Sequence, residues 1–305
     1  VVVINNCVIH ADMRRKLVKP TYFPCTKAFD ENTTQDEMYS RVAQPMVQNA
    51  ARGGISTICM FGQTGSGKTH TMAGIEERSA TGIFGELANA GHSDAVIAVQ
   101  FVELAGKTCK DLLGDDGLEV TLAEAKDGSV KLIDAASVEV KTPQELAKAI
   151  ELGKSRRKTE ATDVNGVSSR SHAVVQIQIT FGRKAQGDNN VKTKQRRGLL
   201  NLLDLAGSER KNDSMYHSSE RQKESNEINA SLWALKECTR TRALASMGGK
   251  KKETKVIIPY RSNNLTRLLR ESFERDSASL SVIATVAPNA TDTEHSMETL
   301  RFVSQ

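Results

Sequence analysis

No stretch of this chain approaches the ~18–20 consecutive apolar residues that a membrane-spanning helix needs. No leader is visible either: the apolar start Val1–Ile4 runs at once into Asn5 and Asn6. Cysteine is sparse. Cys7, Cys25, Cys59, Cys109 and Cys238 are scattered and odd in number, which argues against a disulfide framework and fits free thiols in a reducing cytosol. There is no linker, repeat or low-complexity tract to divide the chain. What remains is a 305-residue sequence, 38% hydrophobic and 26% charged, with the composition of a soluble globular protein and the length to bury a sizeable core. The net charge is +5. That is compatible with ordinary solubility or with an acidic polymer as partner.

Apolar strand-like runs recur at Ile55–Phe61, Val96–Leu104, Val174–Thr180, Leu199–Leu203 and Leu280–Val286. Helical patterns lie between some of them. Thr142-Pro143-Gln144-Glu145 has capping-box spacing with proline at the first helical position, and predicts a helix that closes near Gly153. A second helix is predicted over roughly Ser219 to Ala243, where Ile228, Leu232 and Leu235 share one face. Alternating strands and helices imply an α/β fold around a central sheet. The polar segments Gly187–Lys194 and Met247–Lys255 read as surface loops.

The most specific signal follows the first strong strand. Gly62-Gln63-Thr64-Gly65-Ser66-Gly67-Lys68-Thr69 has the spacing of a phosphate-binding loop. Its glycines let successive backbone N–H groups face a polyphosphate, and the helix that follows presents a positive N-terminus. Lys68 supplies a full charge to the β- and γ-phosphates, and the Thr69 hydroxyl can ligate Mg²⁺. A second segment, Leu199–Arg210, carries four leucines in the five residues before Asp204. That pattern reads as a buried strand delivering a metal-facing aspartate to its end, with the Gly207 N–H placed to sense a γ-phosphate. A third, Asn165–Ile179, sets three serines, Arg170 and His172 just before a strand. It reads as a switch loop, with hydroxyls for Mg²⁺ and the attacking water, and with Arg170 for an acid such as Glu209.

In this order, GQTGSGKTHTM, SSRSHA and DLAGSER resemble the phosphate loop, switch I and switch II of the kinesin motor domain. EINASLWALKEC (Glu227–Cys238), PYRSNNLTRLLRESF (Pro259–Phe273) and ETLRF (Glu298–Phe302) resemble the switch II helix, the loop and helix after it, and the end of the motor core. The fold this implies is the P-loop NTPase kinesin motor fold, an α/β architecture with a central mostly parallel or mixed sheet and helices on both faces. The resemblance also implies an ATPase that takes ATP or ADP with Mg²⁺. By it, Thr69 and Ser169 coordinate the metal and Asp204 holds its water shell. Lys68 and Gly207 contact the β/γ-phosphates, and Ser168 helps to position or deprotonate the lytic water. Arg170 and Glu209 close the site, and His70 lies against the adenine. One motor domain spans residues 1–305, beginning after the family's Arg-x-Arg-Pro strand and stopping where a neck linker would start. Oligomeric state would be set by segments outside it.

The partner implied is the acidic surface of tubulin and microtubules, with location on the cytoskeleton. Candidate contacts are Lys236, Lys250, Lys251, Lys252, Arg261 and Arg267. The family's Tyr-Arg-Asp-Ser-Lys is replaced here by Tyr260-Arg261-Ser262-Asn263-Asn264. The basic run Gly153–Lys158 precedes switch I and is compatible with a structural role. Within the family, Lys236-Glu237-Cys238, Ala173 after SSRSH and the stretch Ile4–Phe23 resemble the internal-motor (MCAK-like) branch that depolymerises microtubules. That branch's Lys-Val-Asp tip is not matched by Lys16-Leu17-Val18-Lys19. A translocating kinesin and a binding module that has lost hydrolysis are the alternatives. No Asn-Lys-x-Asp motif supports a guanine-nucleotide switch, no nucleic-acid-binding motif accompanies the positive charge, and no membrane partner is expected.

Overall fold

The computed structural model describes residues 1–9, 13–114, 117–163, 170–182, 196–208, 219–247 and 256–304. The chain opens with a hairpin of β1 (Val2–Ile9) and β2 (Lys16–Phe23), then α1 (Gln35–Met38), a π-helical turn (Tyr39–Ala43) and α2 (Gln44–Ala51). β3 (Ile55–Phe61) leads into α3 (Lys68–Asn89). Then come β4 (Val96–Ala105), β5 (Thr108–Asp111), the small hairpin β6 (Thr121–Glu124) and β7 (Val130–Ile133), and β8 (Val138–Val140). α4 (Pro143–Asp163), β9 (His172–Thr180), β10 (Arg197–Asp204) and α5 (Ser219–Met247) carry the chain through its centre. α6 (Asn264–Leu268), α7 (Arg270–Glu274), β11 (Ala278–Ala284) and α8 (Thr293–Val303) finish it.

The central sheet runs β11-β3-β10-β9-β4-β5, with β8 also on β4. β3 pairs in parallel with β10 and β11, and the other pairings are antiparallel. The sheet is therefore mixed, with its parallel part confined to the strands around the phosphate loop. Successive side chains of a strand face opposite sides, so β3 serves two cores. Ile58 and Met60 pack with Val47, Ile75, Ile83 and Leu146 of α2, α3 and α4. Cys59 and Phe61 pack with Ile228, Leu232 and Leu235 of α5 and with Leu268 and Phe273. Helices thus cover both faces, as expected.

Two helix ends differ from expectation. α4 does not close near Gly153 but continues to Asp163. Its capping box forms, with Glu145 N–H donating to Thr142 Oγ1 at 3.2 Å and Lys141 N–H to Glu145 Oε2 at 2.7 Å. Gly153 lies in the interior because a Cβ there would stand 2.7 Å from Phe101 Cε1 and 2.9 Å from Cγ. It permits a close helix–sheet approach rather than a stop. α5 runs on to Met247. All five cysteines are free, and burial pushes the Cys59, Cys109 and Cys238 thiols up to about 12. Among the described residues no helix is long and apolar enough to cross a membrane.

Candidate functional site

The site grows from the end of β3. Gly62 has φ 153° and Gly67 φ 101°, backbone that side-chain-bearing residues rarely adopt. A Cβ on Gly62 would also sit 2.7 Å from Ser66 Oγ. Gly67 caps α3 without a side chain, so the first N–H groups of that helix remain available to an anion. The loop is pinned from within: Ser66 Oγ donates to Gln63 O at 2.8 Å and lies 2.7 Å from Thr285 Oγ1. Lys68 is buried, and its Nζ donates to Gly62 O and Gln63 O, each at 2.9 Å. Thr64 and Gly65 lie on the exposed rim of the loop. His70, in the first turn of α3, is exposed and within 3.2 Å of Gln35 Nε2.

β10 lies beside β3 in parallel register, which brings Asp204 next to Met60. Thr69 Oγ1 donates to Asp204 Oδ2 at 2.8 Å, and Asp204 Oδ1 is buried without a hydrogen-bond partner among the described residues. A hydroxyl and a carboxylate with one unsatisfied oxygen, beside a phosphate loop, are the oxygen donors that Mg²⁺ prefers. The residues present therefore fit the metal. Gly207 is buried in the loop after Asp204, where the next residue, Ser208, donates its N–H to Gly62 O at 3.1 Å. The Gly62–Gly67 loop and the loop after Asp204 thus touch directly.

Beneath Asp204 lies a group that sequence reasoning did not assign to the site. Arg157 of α4 reaches Asp204 Oδ2 at 3.4 Å and Glu103 Oε1 at 3.3 Å, and donates to Ser171 O at 2.8 Å. Ser171 Oγ donates to Glu103 Oε1. A guanidinium thus joins β4, α4, the start of β9 and the end of β10. A signal existed: Leu146, Ile150, Gly153 and Arg157 recur at helical spacing, and all four are buried. The basic run around Arg157 hid it.

Other expected residues are distributed differently. Arg170 pairs with Glu224 of α5 at 3.2 Å. Ser168, Ser169, Glu209, Lys250, Lys251 and Lys252 lie outside the described residues. Lys236 Nζ sits 5.4 Å from the Phe302 ring centre, and Phe302 stacks on Phe61 at 3.9 Å. Arg261 bonds Glu124 at 2.9 and 3.3 Å. Arg267 bonds Asn264 Oδ1 at 3.2 Å and Leu122 O at 3.3 Å. These three cations, expected to face a partner, each have an intramolecular one.

The Kinesin motor domain family model matches residues 4–305. The chain is 37% identical over 305 residues to the diatom spindle kinesin-1 of Cylindrotheca fusiformis, covering 99% of this chain but only 45% of that relative. Among solved structures, the C-terminal motor and motor homology domain of Kar3Vik1, fused to a synthetic coiled coil, superposes with a TM-score of 0.80. The identity is 26%, over 98% of this chain and 74% of that one. A KIF14 dimer in a two-heads-bound state, with AMP-PNP and a microtubule, gives a TM-score of 0.76 at 28% identity, over 99% and 87%. With its phosphate loop, its neighbouring aspartate and a match over residues 4–305, this chain belongs to the kinesin motor-domain family, whose members hydrolyse ATP as motors.

Proposed function

We propose that this chain is the motor domain of a microtubule-stimulated Mg²⁺-ATPase. The observation that carries the reading is the Thr69–Asp204 contact of 2.8 Å at the mouth of the phosphate loop, with the other Asp204 oxygen unsatisfied among the described residues. In this reading the triphosphate rests on Gly62–Gly67, and Lys68 exchanges the carbonyls of Gly62 and Gln63 for phosphate oxygens. Thr69 and Ser169 would hold the metal and Asp204 its water shell, while Ser168 would help position or deprotonate the attacking water. When bound, Mg²⁺ supplies charge neutralisation on the phosphates. Arg170 gives up Glu224 to pair with Glu209, which closes the site. His70 borders the adenine, and Gly207 senses the γ-phosphate.

The partner surface in this reading is an acidic microtubule. The related KIF14 structure contains one, together with AMP-PNP. Lys236, Arg261 and Arg267 are held internally, so the attraction falls chiefly on Lys250, Lys251 and Lys252. It weakens as salt shortens the Debye length below ~8 Å. For the mechanical output we favour removal of tubulin from polymer ends, on the ALKEC and SSRSHA stretches. Translocation is the second reading, favoured by Lys236 of ALKEC being occupied over Phe302.

Stabilised microtubules mixed with the domain and ATP separate these outcomes, with sedimentation and phosphate release followed together. Loss of polymer with turnover supports depolymerisation, and turnover with intact polymer supports translocation. Absence of stimulated turnover rejects the motor reading.

A further inference from the structure

One buried chain of hydrogen bonds leaves the nucleotide site and enters α5. His172, the first residue of β9, is 3% exposed. Its Nδ1 accepts the Ala206 N–H at 3.0 Å, in the loop between Asp204 and Gly207. Its Nε2 lies 2.7 Å from Ser231 Oγ on α5. Ser231 Oγ in turn donates to Ile228 O at 2.7 Å.

These contacts fix the protons. A backbone N–H can only donate, so Nδ1 is bare and the imidazole proton sits on Nε2. Ser231 uses its own proton on Ile228 O, so its oxygen is free to accept from Nε2. The direction is single: Ala206 N–H to His172, His172 to Ser231, Ser231 to the α5 backbone. Ser171 and His172 are adjacent in the chain and serve opposite sides of the sheet. Ser171 holds the Glu103–Arg157 pair beside Asp204, and His172 holds α5. A displacement at the start of β9, or in the loop before Gly207, is thereby transmitted to the helix through a strut of defined length.

We infer that His172 is a positioning residue that couples the state of the phosphate-facing loops to the placement of α5, acting through Ser231. The inference rests on the ATPase reading above, and adds the specific contact that joins hydrolysis to the helix. The physical requirement for such coupling is an element whose position both sites bias, and α5 is bonded through His172 to the loop that precedes Gly207.

Ser231→Ala removes the hydroxyl and leaves the His172 Nε2–H without its acceptor. His172→Asn keeps an acceptor near the Nδ1 position for Ala206 but is too short to reach Ser231. The chain's single tryptophan, Trp233, is 63% exposed on α5 two residues from Ser231, and reports on that helix. In wild type its emission should change between ADP and a non-hydrolysable ATP analogue. Ser231→Ala should retain basal turnover and ATP KM within about twofold, lose the emission change, and lose about fivefold or more of the microtubule stimulation of kcat. His172→Asn should lose the emission change equally. A merely structural contact would lower the melting temperature without altering the ratio of stimulated to basal kcat. Folded variants with wild-type emission changes and wild-type stimulation overturn the inference. So does a wild-type emission that ignores nucleotide. If wild type hydrolyses ATP but is not stimulated by microtubules, the motor reading fails, while the emission test of the strut still decides.

Discussion

Removing the Arg157 guanidinium should be among the most damaging single changes in this chain, because three buried charges depend on one another. The side chains of Arg157, Glu103 and Asp204 are 10%, 4% and 10% exposed, with contacts of 3.3 and 3.4 Å. At an effective dielectric constant near 20, each contact is worth about 5 kcal/mol of gross attraction, most of it offset by desolvation. Deleting the cation removes the attraction and leaves the desolvation of two carboxylates, so the net cost of Arg157→Met should be about 3–5 kcal/mol. With an m-value of about 3 kcal/mol/M, the urea midpoint should fall by about 1–1.7 M. Adding Glu103→Gln to Arg157→Met removes one of the stranded charges and should recover at least about 1 kcal/mol. Turnover should fall as well, since Arg157 orients the carboxylate that Thr69 contacts. An Arg157→Met midpoint within about 0.3 M of wild type, or strictly additive effects in the double variant, would refute the reasoning.

Two further outcomes follow from the buried interior. Burial, and secondarily the Arg157 charge, hold the His172 pKa down to about 3 from an ordinary 6.5. The unfolded chain therefore binds a proton that the folded one refuses. Stability from this group is complete above pH 6.5 and is lost at about 1.4 kcal/mol per pH unit as pH falls toward 3. Urea midpoints between pH 7 and 4 should be flatter for His172→Asn than for wild type, and parallel curves would contradict the assignment. Gly153→Ala, ordinarily helix-favouring by about 1 kcal/mol, should instead destabilise by about 1–3 kcal/mol because its methyl meets the Phe101 ring. A raised melting temperature would show that α4 can back away from β4.

The amino-acid sequence determined what depends on neighbours along the chain. The glycine spacing of residues 62–67 dictates a loop with left-handed backbone, and the apolar runs dictate β3, β9 and β10 to within a residue or two. The leucines around Asp204 dictate an aspartate at a buried strand end. These follow from backbone sterics and side-chain period, which act over a few residues. Only the tertiary structure decided who meets whom. Glu103 lies 54 residues from Arg157, and Asp204 lies 47 residues from it. Gly153 becomes a close-approach residue only because Phe101 arrives against it. Lys236 and Arg261 lose their apparent availability only because Phe302 and Glu124 lie beside them. A charge in a sequence has no partner until packing brings one within a few ångströms. Burial by that same packing then turns such a pairing from a weak surface contact into a determinant of the site.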